Sequence, residues 1–199
     1  MNIMMRFLLV LCLFGTSAQA EILDVQPEDR VLGDEKAPVT IIEYASLSCS
    51  HCADFHTDIF PKVDEQYIQA GKVRFIMRSF PTNPPALTGS KLLMCVPEEQ
   101  YYTFAKVLFS TQSKWAMTLD HEANLKKIAL VGGVSEADFD KCMKDKALEE
   151  RVLNVRRDAE SLKIESTPTF YINGQSTRGV ESFEKFSKQI DEALVKSVK

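Results

Sequence analysis

Pro38-Val39-Thr40-Ile41-Ile42-Glu43-Tyr44-Ala45-Ser46-Leu47-Ser48-Cys49-Ser50-His51-Cys52 is the stretch whose reading decides the fold. Its first half is an apolar, β-branched run, which reads as a strand buried on both faces. A Cys-x-x-Cys follows at once, and beyond it Phe55, Ile59, Val63 and Tyr67 recur at helical spacing. Two thiols at a strand-to-helix turn are placed for reversible disulfide chemistry. Cys49 falls at the helix N-terminus, where unpaired N–H groups and the helix dipole favour an anion. Such sites bring a thiol from roughly 8.5 into a range of about 3.5–7.5. His51, protonated or donating a hydrogen bond, adds to that effect. The competing reading is a metal site built from Cys49, Cys52, His56 and His121. Zinc sites of this kind normally need a second close pair of ligands, and the sequence has none, so neither a metal nor any other cofactor is called for.

Upstream, residues 1–20 read as an export signal. Met1–Arg6 carries one basic side chain, and Phe7–Phe14 is too short an apolar run to span a bilayer. Ala18-Gln19-Ala20 is a cleavage site of the small-x-small kind. Leu11 rather than a small residue precedes Cys12, which argues against lipid attachment. Cleavage leaves Cys49, Cys52, Cys95 and Cys142, an even number that suits an oxidising compartment. The 199-residue chain is 45% hydrophobic with a formal charge of −4. That predicts one domain over 21–199 with a sizeable core and no nucleic-acid partner. Ile22–Val25 reads as a short edge strand, and Gly33–Pro38 as the turn feeding the central one.

Downstream, the helix runs to about Ala70 with a kink at Pro61, and Gly71 ends it. Val73–Phe80 is the next strand, and strand–helix–strand at this length implies a right-handed crossover and parallel pairing. Pro81–Pro85 breaks the pattern. From about 82 to 163 only helical periods appear: Leu92, Leu93 and Val96; Tyr101, Phe104, Leu108 and Phe109; Leu125, Ile128 and Ala129; Phe139, Cys142 and Met143 after a cap at Ser135; then Leu148, Val152, Val155, Ala159 and Leu162. After Ser166-Thr167-Pro168 come a strand, a hairpin turn at Asn173-Gly174, a returning strand over Ser176–Val180 and a last helix striped by Phe183, Phe186, Ile190 and Leu194. The fold class is α/β, with a helical insertion inside a βαβ…ββα frame.

Three features leave alternatives open. Glu43 is either an edge carboxylate in water or a buried acid beneath the cysteines, for which Arg78 is a candidate counter-ion. Cys95 and Cys142 are either two buried thiols or a bridge, and the even count favours the bridge. Closing a loop of that size contributes roughly 4 kcal/mol on a chain-entropy basis. Trp115, Met117 and Met143 suit the core better than a surface groove.

Cys49-Ser50-His51-Cys52 after a strand carrying Glu43, with Ser166-Thr167-Pro168-Thr169-Phe170 near the far end, resembles the thioredoxin-like DsbA family of disulfide oxidoreductases. The resemblance runs from about Val31 to the C-terminal helix. It implies a thioredoxin fold with the helical insertion that thioredoxin itself lacks. It makes Cys49 the nucleophile, Cys52 its inward-facing partner and Glu43 a buried acid that influences proton transfer to both. It makes the Thr167–Pro168 bond cis and adjacent to the pair, with the Thr167 backbone free to take an extended substrate. It implies a soluble, monomeric, periplasmic protein that introduces disulfides into reduced or partly folded exported proteins, re-oxidised by a membrane quinone-linked thiol oxidase. The best-known oxidases carry Val where this chain has Thr167, and Thr stands there in other branches, disulfide isomerases among them. An isomerase or reductase is therefore the alternative, though residues 21–35 are too few for an N-terminal dimerisation domain. From another class, the fold could serve as a non-catalytic binding scaffold.

Overall fold

The computed structural model describes residues 21–197, so the export signal read at residues 1–20 lies outside the described residues. β2 (Val39–Ala45) is the middle strand of a sheet in the order β1-β3-β2-β4-β5. Its neighbours are β3 (Val73–Ser79), parallel to it, and β4 (Thr169–Ile172), antiparallel to it. β1 (Val31–Leu32) and β5 (Gln175–Arg178) close the two edges, each antiparallel to the strand beside it. Successive side chains of a strand point to opposite faces. Ile41 therefore joins one core with Phe75, Phe170 and Ile172, and Ile42 and Tyr44 join another with Ile76 and Tyr171.

The helical run α1 covers the first of these faces. α-Helical Ser50–Asp54 and Phe60–Val63 alternate in it with π-helical Phe55–Ile59 and Asp64–Ile68. The expected single kink at Pro61 is thus a helix widened twice. Pro61 has no N–H to return to the carbonyl four residues back, and the turn before it opens so that the Phe60 N–H bonds the carbonyl of Phe55. Gly71, at φ +68°, ends the run where glycine alone is unstrained.

Between β3 and β4 lie α2 (Pro84–Cys95), α3 (Tyr101–Ser110), α4 (Gln112–Trp115), α5 (His121–Val131), α6 (Glu136–Lys144) and α7 (Lys146–Ser161). Asn83, Ser135 and Asp145 cap α2, α6 and α7, each accepting a backbone N–H three residues on. α7 covers the second face through Ala159. A disulfide joins Cys95, at the end of α2, to Cys142 in α6. Trp115 is fully buried, whereas Met117 is exposed. After the hairpin turn, where Asn173 (φ 45°) and Gly174 (φ 80°) both adopt the left-handed conformation, β5 is followed by α8 (Phe183–Ser197).

Two expectations are corrected. Ile22–Val25 is not a strand, because the carbonyls of Ile22 and Asp24 accept from the Arg78 guanidinium instead of from a neighbouring strand. β1 at Val31–Leu32 takes the sheet edge. Nor is Arg78 the counter-ion of Glu43. Arg78 stands opposite Tyr44 in the β2–β3 register and Glu43 stands opposite Met77, so the two side chains point to opposite faces. Arg78 pairs with Asp29 at 2.6 Å and also donates to the Tyr44 hydroxyl.

Candidate active site

Cys49 is the N-cap residue of α1, in extended conformation (φ −85°, ψ 123°) and half-buried. Its thiol is pulled down to about 5. The largest cause is a hydrogen bond from the Cys52 side chain, and burial opposes it. The Thr167 side chain and the backbone N–H groups of Cys52 and His51 complete the effect. Those two N–H groups stand at the second and third positions of the helix, which an N-cap acceptor ordinarily engages. As a neutral thiol, Cys49 donates to the Thr167 carbonyl at 3.3 Å. Ionised, it loses that interaction, and the donors around it outweigh the loss. The Thr167–Pro168 bond is cis. The strand–turn–helix and the far loop therefore meet at one sulfur.

Cys52 is fully buried. Burial is the main reason its thiol is pushed far up, and the hydrogen bond to Cys49 and the charge of Glu43 push the same way. The two sulfurs thus have opposite preferences at neutral pH, Cys49 ionised and Cys52 protonated.

Glu43 is fully buried, and its partner is His56, with Nε2 and Oε2 2.7 Å apart. In the sequence His56 is singled out only as a candidate metal ligand, but its side chain is only 3% exposed. It stacks on Phe109 at 4.2 Å and lies edge-on to Phe55. One signal in the sequence could have found it. His56 follows the inward-facing Cys52 by four residues, so it shares that face of the helix. The other carboxylate oxygen, Oε1, is buried with no hydrogen-bond partner among the described residues.

The His51 imidazole, by contrast, points into solvent, with Nδ1 3.7 Å from Asp54 Oδ2. What His51 contributes to the Cys49 sulfur is its backbone N–H. Two further groups hold the loop before the helix, and neither has a sequence signature. Gln112, from the four-residue α4, donates through Nε2 to the carbonyls of Leu47 (2.9 Å) and Cys49 (3.0 Å). Ser46 and Ser48 bond to Thr82 and Asn83 at the start of the insertion. A cleft beside Cys49 is lined by Phe55, Ile59, Pro168, Val180 and Phe183.

Comparison with known proteins agrees with this geometry. The family model described as thioredoxin matches residues 25–192. The crystal structure of alpha-DsbA1 from Wolbachia pipientis superposes with a TM-score of 0.85 at 33% identity, covering 90% of this chain and 98% of that one. A Rickettsia typhi protein named "Putative protein-disulfide oxidoreductase" is 31% identical over 172 residues, 85% of this chain and 63% of its own length. Disulfide bond formation protein D of Bacillus subtilis is 27% identical over 82% of this chain and 76% of its own. The chain thus spans somewhat under two thirds of the rickettsial relative that it matches.

Proposed function

This chain belongs to the DsbA family of thioredoxin-fold proteins, and from that premise we propose that it is a thiol–disulfide oxidoreductase that introduces disulfide bonds into exported proteins. The observation that carries the reading is the contrast between the two sulfurs, an accessible Cys49 held as thiolate and a buried Cys52 held as thiol. Stabilising the Cys49 thiolate favours the reduced state and makes the Cys49–Cys52 disulfide an oxidant.

In the reaction, a substrate thiolate attacks the Cys49 sulfur of the disulfide. The Cys49–Cys52 bond breaks, its electron pair leaves on Cys52, and that buried sulfur takes a proton. A second substrate thiolate then attacks the substrate sulfur of the mixed disulfide. Cys49 departs as the stabilised thiolate, and the substrate leaves with its own disulfide. Thr167 and Pro168 border the mixed disulfide, where the Thr167 backbone pairs with an extended substrate. The cleft sets Ile59, Val180 and Phe183 among charged side chains such as Asp58, Lys62 and Glu184, which suits segments of mixed polarity exposed in partly folded chains. Glu43 serves as the buried acid that exchanges a proton with Cys52. Cys95 and Cys142 form a structural bridge in the insertion, apart from the exchange. In this reading the protein is a monomer of one domain with its insertion at about 82–163. It works in the periplasm after loss of residues 1–20 and is re-oxidised by a membrane quinone-linked thiol oxidase.

The test is equilibration of the purified chain with glutathione buffers, read by thiol alkylation in wild type and Cys49→Ser. A potential near about −120 mV supports an oxidase, and one near about −270 mV overturns that direction in favour of a reductase. A wild-type chain with no Cys49-dependent couple would reduce the fold to a scaffold.

A further inference from the structure

The exchange reaction leaves one problem in the interior. Cys52 must gain a proton when the disulfide opens and lose it when the disulfide closes, yet its sulfur has no solvent exposure. Glu43, whose charge reaches that sulfur, is equally sealed. Two features of the carboxylate bear on this. One oxygen is fixed by His56 at 2.7 Å, and the other is buried without a partner among the described residues. An unsatisfied buried carboxylate oxygen is destabilising, and such atoms call for an explanation other than stability. The imidazole is itself packed on three sides, stacked on Phe109, edge-on to Phe55 and tilted against Phe60. Around the pair the described residues supply no other buried counter-charge. Arg78 lies on the opposite face of the sheet, and the hydroxyls of Tyr101 and Tyr102 are engaged with the backbone of Met77, Phe75 and Arg30.

Resting on the exchange reaction above, we propose that His56 is a positioning residue for the proton of Cys52. It holds Glu43 by Oε2, leaves Oε1 free for the sulfur, and keeps a proton within the pair. When the Cys49–Cys52 bond opens, the electron pair leaves on Cys52 and the proton shared by Glu43 and His56 moves to it through the carboxyl. When the bond re-forms, Cys49 is held in a mixed disulfide, and the Cys52 thiol returns that proton to the pair as its sulfur attacks Cys49, breaking the mixed disulfide and expelling the other partner as a thiolate. No electron passes through the pair. Oε1 has no hydrogen-bond partner in the structure, so the proton crosses to the sulfur by a small side-chain shift or over one bridging water, and it commutes between three buried groups.

The closing half can be isolated. Reduced protein mixed with glutathione disulfide forms the Cys49–glutathione mixed disulfide in a first step that needs only the Cys49 thiolate. Cys52 then closes the ring and expels glutathione. Acid quenching and intact-mass measurement resolve both steps. H56Q, which keeps the hydrogen bond but cannot hold the proton, is expected to slow ring closure by about 10-fold or more, a modest share of what general acid–base catalysis supplies. The first step should stay within about 2-fold. E43Q should slow closure at least as much. H56Q added to E43Q should then cost less than a further ~2-fold, because His56 acts through Glu43. Should H56Q fail to fold, H56F, which keeps the stacking on Phe109, takes its place with the same expectation. Ring closure at the wild-type rate in the folded His56 variant would overturn the proposal. So would effects of the two substitutions that simply multiply, since independent effects mark separate structural roles. A wild-type chain that never forms the mixed disulfide would instead overturn the exchange reading on which the proposal stands.

Discussion

The sheet buries a polar pair on each of its faces, one reaching in from Glu43 on β2 and the other from Arg78 on the adjacent β3, and the two pairs are built in opposite ways. On one face Arg78 is surrounded by acceptors: both carboxylate oxygens of Asp29, the Tyr44 hydroxyl and the carbonyls of Ile22 and Asp24. Burial disfavours the guanidinium charge, but Asp29 and Tyr44 outweigh it, so Arg78 stays firmly protonated. On the other face Glu43 has one bond to His56 and one oxygen with none. A saturated network fixes a conformation, here by stapling the N-terminal segment to the sheet. An unsaturated one next to a reactive sulfur keeps a position open for a proton. On the proposal made above, the satisfied pair is architecture and the unsatisfied pair belongs to the chemistry.

Several substitutions break or sharpen that division. Cys49→Ser has the largest expected effect. It should abolish transfer of a disulfide to a reduced protein, followed by the appearance of substrate disulfides, while at about pH 5 the melting temperature stays near that of the reduced wild type. Arg78→Met comes next. It leaves Asp29 buried without its partner and should cost about 3–5 kcal/mol in denaturant unfolding. The reactivity of Cys49 should be unchanged, which sets this pair apart from Glu43 and His56. Replacing both Cys95 and Cys142 with Ala removes a link closing a 47-residue separation. Up to about 4 kcal/mol of stability should go with it. Exchange should persist, because the bridge lies away from Cys49. Gln112→Ala leaves two carbonyls of the active-site loop without their side-chain donor, one of them the buried Leu47 carbonyl. We expect a loss of about 1–3 kcal/mol, with measurably faster amide exchange in the Cys49 turn.

The smallest effect is one of pH. The Cys49 thiol sits at about 5 in the folded protein, below its value of roughly 8.5 in an unfolded chain. A group depressed on folding contributes stability that is complete above the unfolded value and is lost as the pH falls through the folded one. Reduced wild type should therefore gain stability over Cys49→Ala between about pH 5 and 8.5, read as a widening gap in melting temperature. The half-exposed position of Cys49 keeps that gap modest.

The division between the two pairs also marks where sequence reading reaches and where it stops. Local patterns carry far. The apolar run of β2, the Cys-x-x-Cys and the stripe of α1 are contiguous, and each is dictated by periodicity or by the position of a thiol at a helix end. The α/β frame and the helical stretch between β3 and β4 follow from the same patterns. Partners that meet only in three dimensions do not. Glu43 and Arg78 look like natural partners in the sequence, but strand parity separates them, and parity across two strands depends on a register that the sequence does not print. Gln112 is a single polar residue in a stretch with no motif, and His56 is marked only by its spacing of four residues from Cys52. Their roles come from what α3 and the loop before α1 bring against them. Ile22–Val25 has the composition of a strand, and a guanidinium from β3 claims its carbonyls first.

Everything above turns on the unequal ionisation of the two sulfurs, and that can be measured directly. The ultraviolet absorbance of thiolate in the reduced protein, followed from pH 3 to pH 9 with Cys49→Ser as the blank, should show one thiolate appearing with a midpoint near 5 and no second one below pH 9. A midpoint near about 8.5, the value of an unassisted thiol, would contradict the account at its base.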